Sequence, residues 1–131
     1  MATRPVKKTK DPDVILDVLF EDGMLIFSVR NKTDRPVYTV RCNFAKPVIG
    51  LDGVTDLARA NLFSKLEFLA PGRDIRMPID RVGPYFARGG ANLVICTVSY
   101  TDADDTDFVC QIRHDLSVYR DLQVVQAPVR D

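Results

Sequence analysis

The 131-residue chain carries 18 Lys and Arg against 18 Asp and Glu, so it has no net charge at neutral pH, and no global field draws it to nucleic acid or to an anionic membrane. Its length suits one domain with a core of its own, stable without disulfides or a structural metal. No apolar run is long enough to span a bilayer, and Met1 to Lys10 lacks the apolar centre of a signal peptide, so a cytoplasmic protein without membrane insertion is expected.

Residues 1–12 are basic, with Arg4, Lys7, Lys8 and Lys10 unopposed until Asp11, and read as a flexible tail ahead of a domain spanning 13–122. Val14, Leu16, Val18 and Phe20 alternate along a first strand. Glu21-Asp22-Gly23 then turns the chain, and Leu25, Phe27 and Val29 face inward from the returning strand of a hairpin. After the polar turn 31–36, Tyr38, Val40, Cys42 and Phe44 alternate with Thr39, Arg41 and Asn43, the period-2 pattern of a strand with one wet face. The stretch 54–64 is expected to be an irregular crossover into a short strand. Pro71-Gly72 launches the next strand, with Ile75, Met77 and Ile79 inward and Asp74, Arg76 and Pro78 outward.

Val82 to Arg88 reads as one helical turn started by Pro84 and ended by Gly89-Gly90. Leu93 to Thr101 is too short and too β-branched for a helix and becomes a central strand. Residues 102–107 turn it back into a last strand with Phe108, Cys110 and Ile112 inward. Residues 116–122 continue the sheet or make a final turn, and 123–131 form a C-terminal tail whose Val124 and Val125 are suited to an edge strand. The count is about seven antiparallel strands joined by Gly, Pro and Asp turns, with a short helical turn among the connections. That is an all-β, immunoglobulin-like sandwich, with a small barrel as the competing fold.

Four segments carry a resemblance: Pro36-Val-Tyr-Thr-Val40, Phe68-Leu-Ala-Pro-Gly-Arg73, Val98-Ser-Tyr-Thr-Asp102 and Ile112-Arg-His-Asp-Leu116. Together they resemble the immunoglobulin-like and fibronectin-type-III-like accessory domains of bacteria, over most of Asp13 to Leu122. The resemblance implies a spacer or binding module with no catalysis. The chain departs from antibody-type members in having no Trp and no cysteines set to bridge two sheets.

The three cysteines, Cys42, Cys96 and Cys110, lie inside apolar runs and are expected to be buried, reduced thiols, although Cys96 and Cys110 sit on neighbouring strands where a bridge is sterically conceivable. No C-x-x-C pair or Cys/His cluster suggests zinc, and no cofactor is expected. His114 is the one histidine. Arg113 and Asp115 point to the opposite face from it, and Cys110 lies about 13 Å along the strand, leaving only Cys96 as a conceivable partner for a catalytic pair. The acidic turn with Asp102, Asp104, Asp105 and Asp107 invites a calcium reading, against which stand its non-EF-hand spacing and the ordinary use of Asp in turns.

Arg30, Arg41, Arg76 and Arg113 fall on wet strand faces, where a converging pair would recognise carboxylate or phosphate. Tyr38, Phe44, Tyr100 and Phe108 share the apolar faces as core, so base stacking and nucleic-acid binding are not expected. The reading is a non-enzymatic interaction or assembly module that contacts another protein, or a second copy as a homodimer, through a sheet edge or the loop ends, with the face of Arg41 and Arg113 as the surface. The alternative is a calcium-dependent binding domain, or an enzyme, using the 102–107 turn or His114.

Overall fold

The computed structural model describes residues 5–120 of the chain. Strands hold 51% of the described residues and helices 15%, a mostly-β structure in two sheets. Eight strands lie among the described residues: β1 (Val6–Lys8), β2 (Val14–Glu21), β3 (Met24–Asn31), β4 (Val37–Phe44), β5 (Leu66–Leu69), β6 (Asp74–Arg81), β7 (Leu93–Thr101) and β8 (Asp107–Asp115). Between β4 and β5 come a 3-10 turn (Leu57–Arg59) and helix α1 (Asn61–Ser64), and α2 (Val82–Ala87) follows β6. One sheet has the order β1-β8-β7-β4-β5 and the other β2-β3-β6.

Both sheets contribute to one core. Val14, Leu16 and Val18 of β2 and Leu25, Phe27 and Val29 of β3 meet Val37, Val40, Val94, Cys96 and Val98 from the larger sheet, all with little or no exposure. Each such side chain contributes about 1.5 to 3 kcal/mol by leaving water. Phe27, Phe44 and Phe63 form a column of rings, with centroids 5.7 Å and 4.9 Å apart, that joins the smaller sheet to β4 and to α1.

The expected hairpin of β2 and β3 is present in full register, and its turn uses positive φ at both Asp22 (54°) and Gly23 (77°), the geometry that matches the twist of the flanking strands. The helical turn expected at residues 82–88 is α2, with Gly89 at φ 79° just past its end. Other expectations are corrected. Val6–Lys8, inside the stretch read as a tail, pairs with β8, and does so in parallel, so the strands are not all antiparallel. Of the two expectations for the chain from Leu116, the final turn is the one met, helical at 117–120; the C-terminal tail 123–131, with Val124 and Val125, lies outside the described residues.

Tyr38 does not share the face of Val40. The β4–β7 register shifts between Tyr38 and Arg41, and Thr39 takes φ 52°, so one extra residue turns Tyr38 outward against Phe68 of β5 (centroids 5.6 Å apart). A second irregularity, between Leu25 and Ile26 opposite β6, buries both Ile79 and Asp80, although strict alternation would leave Asp80 wet.

Asn31, wholly buried, ties the two sheets at one corner. Its Nδ2 donates to the carbonyl oxygens of Arg35 (2.7 Å), Leu69 and Ala70 (both 3.2 Å), and its Oδ1 accepts from the Thr33 amide (3.0 Å) and hydroxyl (2.8 Å). Replacing Asn31 with Leu is therefore expected to destabilise the fold by about 2 to 4 kcal/mol, because the carbonyls of Leu69 and Ala70 lose their side-chain donor and the Thr33 amide loses its acceptor. Urea unfolding that shows a lowered midpoint with an unchanged m-value is the check; a change under about half a kcal/mol contradicts this role.

Candidate functional site

The groups singled out from the sequence are mostly spent on structure. His114 of β8 reaches across the open side of the two sheets, where its Nε2–H donates to the carbonyl oxygen of Leu16 in β2 (2.7 Å). Two tyrosines act beside it: the Tyr119 hydroxyl donates to Val18 O (3.2 Å), and the Asp13 amide donates to the Tyr100 hydroxyl oxygen (2.8 Å). Burial raises both tyrosine hydroxyls above the ordinary phenol range, which keeps both protonated. The β7–β8 register does place Cys96 diagonally from His114, since Val94 faces His114 and Cys96 faces Ile112. No Cys–His pair results: the imidazole is bonded to β2, and the Cys96 thiol lies against Cys42.

Cys42 and Cys96 are both buried and one diagonal step apart on β4 and β7, so the thiol neighbour of Cys96 is Cys42 rather than Cys110. All three cysteines are free. The contact with Cys42, and then burial, push the Cys96 thiol far above its ordinary range, which removes it as a nucleophile.

In the acidic turn, Asp102 Oδ1 accepts from the amides of Asp104 (3.0 Å) and Thr106 (2.9 Å), and Asp107 Oδ1 accepts from the Thr101 hydroxyl (2.8 Å). Asp105 adopts φ 62° to close the turn. Among the described residues no three His, Cys, Asp or Glu side chains gather closely enough to hold a metal ion. The four arginines split between the two outer faces, Arg30 and Arg76 on β3 and β6, Arg41 and Arg113 on β4 and β8. Arg76 bonds Asp74 (2.8 Å) and Glu21 (3.2 Å), and Arg76 is the main cause of the lowered Asp74 carboxyl. Arg41 sits opposite Ser99 and Arg113 opposite Ile95, so they share a face but lie about 13 Å apart along the strands.

Two of the larger clefts carry polar groups. One, of about 380 Å³, is lined by Lys46, Ile49, Tyr85, Arg88 and the Gly89-Gly90 turn. Its base is an ion pair that the sequence reading missed, between Arg88 Nη1 and the buried Asp80 Oδ2, with Arg88 Nη2 also donating to the Ile49 and Gly50 carbonyls (3.1 and 3.0 Å). The bulge that buries Asp80 is invisible in the alternation, which is why the pair was not foreseen. The guanidinium is committed there and is not presented to a ligand.

The second cleft, of about 420 Å³, runs along β4 and is lined by Arg41, Cys42, Asn43, Ala58, Arg59, Phe63 and Ser64. Strand β5 pairs with β4 only as far as Val40, and beyond that point the chain before β5 is the α1 turn. The Ala45 amide donates to Ile95 O (2.9 Å), which sets the parity of the β4–β7 ladder. By that parity, the N–H and C=O groups of Cys42 and Phe44 point away from β7, towards the cleft. They form no backbone bond to α1. Phe68 on β5 is half exposed at the same edge, and Arg41 is anchored there by Glu67 (2.6 Å) and by the carbonyls of Val40 and Leu66 (2.9 and 3.2 Å).

Comparison of the chain with protein-family models, with curated proteins and with solved structures finds no match. Among the described residues no helix is long and apolar enough to cross a membrane.

Two predictions follow from the charges. Replacing Arg88 with Met strands the Asp80 carboxylate in the interior and is expected to cost about 3 kcal/mol; adding Asp80→Asn recovers a large part of that loss, as a double-mutant cycle by urea unfolding will read. Asp52 is held down to about 2 by the Thr55 hydroxyl, then by the Thr55 and Val54 amides. A depressed native value means that this turn contributes stability above the unfolded carboxylate's value of about 4 and loses it as the pH falls towards 2. An NMR titration of the carboxyl carbons should show Asp52 among the last to protonate, and Thr55→Val should move it back up.

Proposed function

We propose that this protein is a non-enzymatic interaction module that takes an extended segment of a partner onto the free edge of β4 and β5. The observation that carries the reading is the half-open edge of β4, where Cys42 and Phe44 turn ladder-forming groups into a cleft. Exposed edges are ordinarily blunted. The other edges here are guarded: β2 by the His114 and Tyr119 bonds, β6 by Pro78 and the bulge opposite it, and β1 by its short length and Lys7 and Lys8. The β4–β5 edge instead carries a half-exposed Phe68.

The fold we propose is immunoglobulin-like in the fibronectin-type-III manner. Support comes from strand order, since β2-β3-β6 corresponds to A-B-E and β8-β7-β4 to G-F-C of such domains, with β5 moved to the β4 edge and β1 added beside β8. That correspondence says nothing of function by itself; the edge does.

Hydrogen exchange tests the open edge. In the free protein the amides of Cys42 and Phe44 are expected to exchange more than about tenfold faster than that of Asn43, which is inside the β4–β7 ladder. An alternating Val/Thr hexapeptide should shift and protect those two amides, and the same peptide N-methylated at every second residue should not. Equal protection of all three amides in the free protein would show the edge closed and defeat the proposal.

A further inference from the structure

Resting on the strand-addition reading, we infer that the segment received at the β4 edge is acidic, with a carboxylate at every second position. The cleft is lined by the guanidinium of Arg59, by that of Arg41, which Glu67 already pairs, and by the Asn43 amide, and no carboxylate lines it. Arg59 has no carboxylate partner among the described residues, and Lys65 is exposed beside α1. Arg41 and Asn43 lie on the outer face of β4, so in a ladder extended past Val40 the side chains of the incoming strand that share that face are its alternate residues.

A carboxylate there meets the Asn43 side chain and the fork of Arg59, a charge-assisted contact that neither Gln nor Lys reproduces. Glu67 already shows the chemistry within the chain: its carboxylate sits on Arg41 Nη2 at 2.6 Å, beside the place where the ladder stops. The incoming acidic residues continue that pattern along the part of the edge that β5 does not cover. Backbone pairing supplies affinity, and Arg59 selects the partner.

The test is fluorescence anisotropy with three labelled hexapeptides that alternate Val with Glu, Gln or Lys, titrated with the full chain. The expected result is that the Glu peptide binds about five- to tenfold more tightly than the Gln peptide, and the Lys peptide more weakly than either. Raising the salt to about 0.5 M should shrink the Glu preference. Arg59→Gln, at an exposed position where folding is not at stake, should bring the Glu peptide down to the affinity of the Gln peptide. Equal binding of the Glu and Gln peptides overturns the acidic preference and leaves strand addition standing. Binding of none of the three, with unshifted Cys42 and Phe44 amides, removes strand addition as well. Displacement of the Glu peptide by millimolar inorganic phosphate would make the cleft a small-anion site and overturn the inference.

Discussion

The architecture depends on a corner in which one buried amide side chain satisfies several backbone carbonyls at once. Asn31 ends β3 in the smaller sheet, yet its Nδ2 bonds the carbonyls that end β5 in the larger one, at Leu69 and Ala70. Its own backbone amide donates to Arg73 O (2.9 Å), and the Gly72 amide donates to Thr33 O (2.9 Å). The turn at Pro71-Gly72 and the turn at 32–36 are thereby locked together. Gly72, at φ 69°, supplies the left-handed residue that lets the chain leave one sheet and enter β6 in the other. Without a polar side chain at that point, the buried carbonyl that ends β5 would lack its side-chain donor, and a sandwich cannot hide such a group cheaply.

The far side of the molecule is closed by different means. No ladder joins β2 to β8, so the carbonyls of the β2 edge are reached by side chains: His114 to Leu16 and Tyr119 to Val18, with Tyr100 taking the amide of Asp13. Phe20 and Tyr119 pack their rings 5.8 Å apart beneath these bonds. The three polar side chains thus do for β2 what a further strand would otherwise do. At β4 no such side chain intervenes beyond Val40, and the contrast between the two edges is what gives the functional reading its direction.

Ionisable groups follow the same division. Several carboxylates sit at turns and accept from nearby amides, as at Asp52, Asp102 and Asp115. Arg88 and Asp80 face each other at the base of a cleft, and Arg76 on the outer face of the small sheet is matched by Asp74 and Glu21. A chain with no net charge therefore carries local imbalance chiefly where pairing is incomplete, and the Arg59 end of the β4 cleft is such a place.

Much of this was legible in the residues alone. Alternation located β2, β3, β6 and β8 and their inward faces, because a two-layer protein must bury every second side chain, and an unbroken β-branched run located β7; Asp22-Gly23 and Gly89 marked turns because they supply positive φ. His114 stood out in the sequence as the one histidine, but the atom it bonds could not be named. Arg41 was singled out as exposed on a strand, yet its neighbours Arg59 and Ser64 come from a crossover with no periodic pattern. The residue types and their period determined which segments are strands and which faces are dry. Only the packed structure decided the two bulges, the Asp80–Arg88 pair, the Cys42–Cys96 contact and the unfinished edge of β4. The physical reason is that each of these arises where strands distant in sequence meet, and the register of such a meeting is set by the competition of whole faces for burial, not by any local preference.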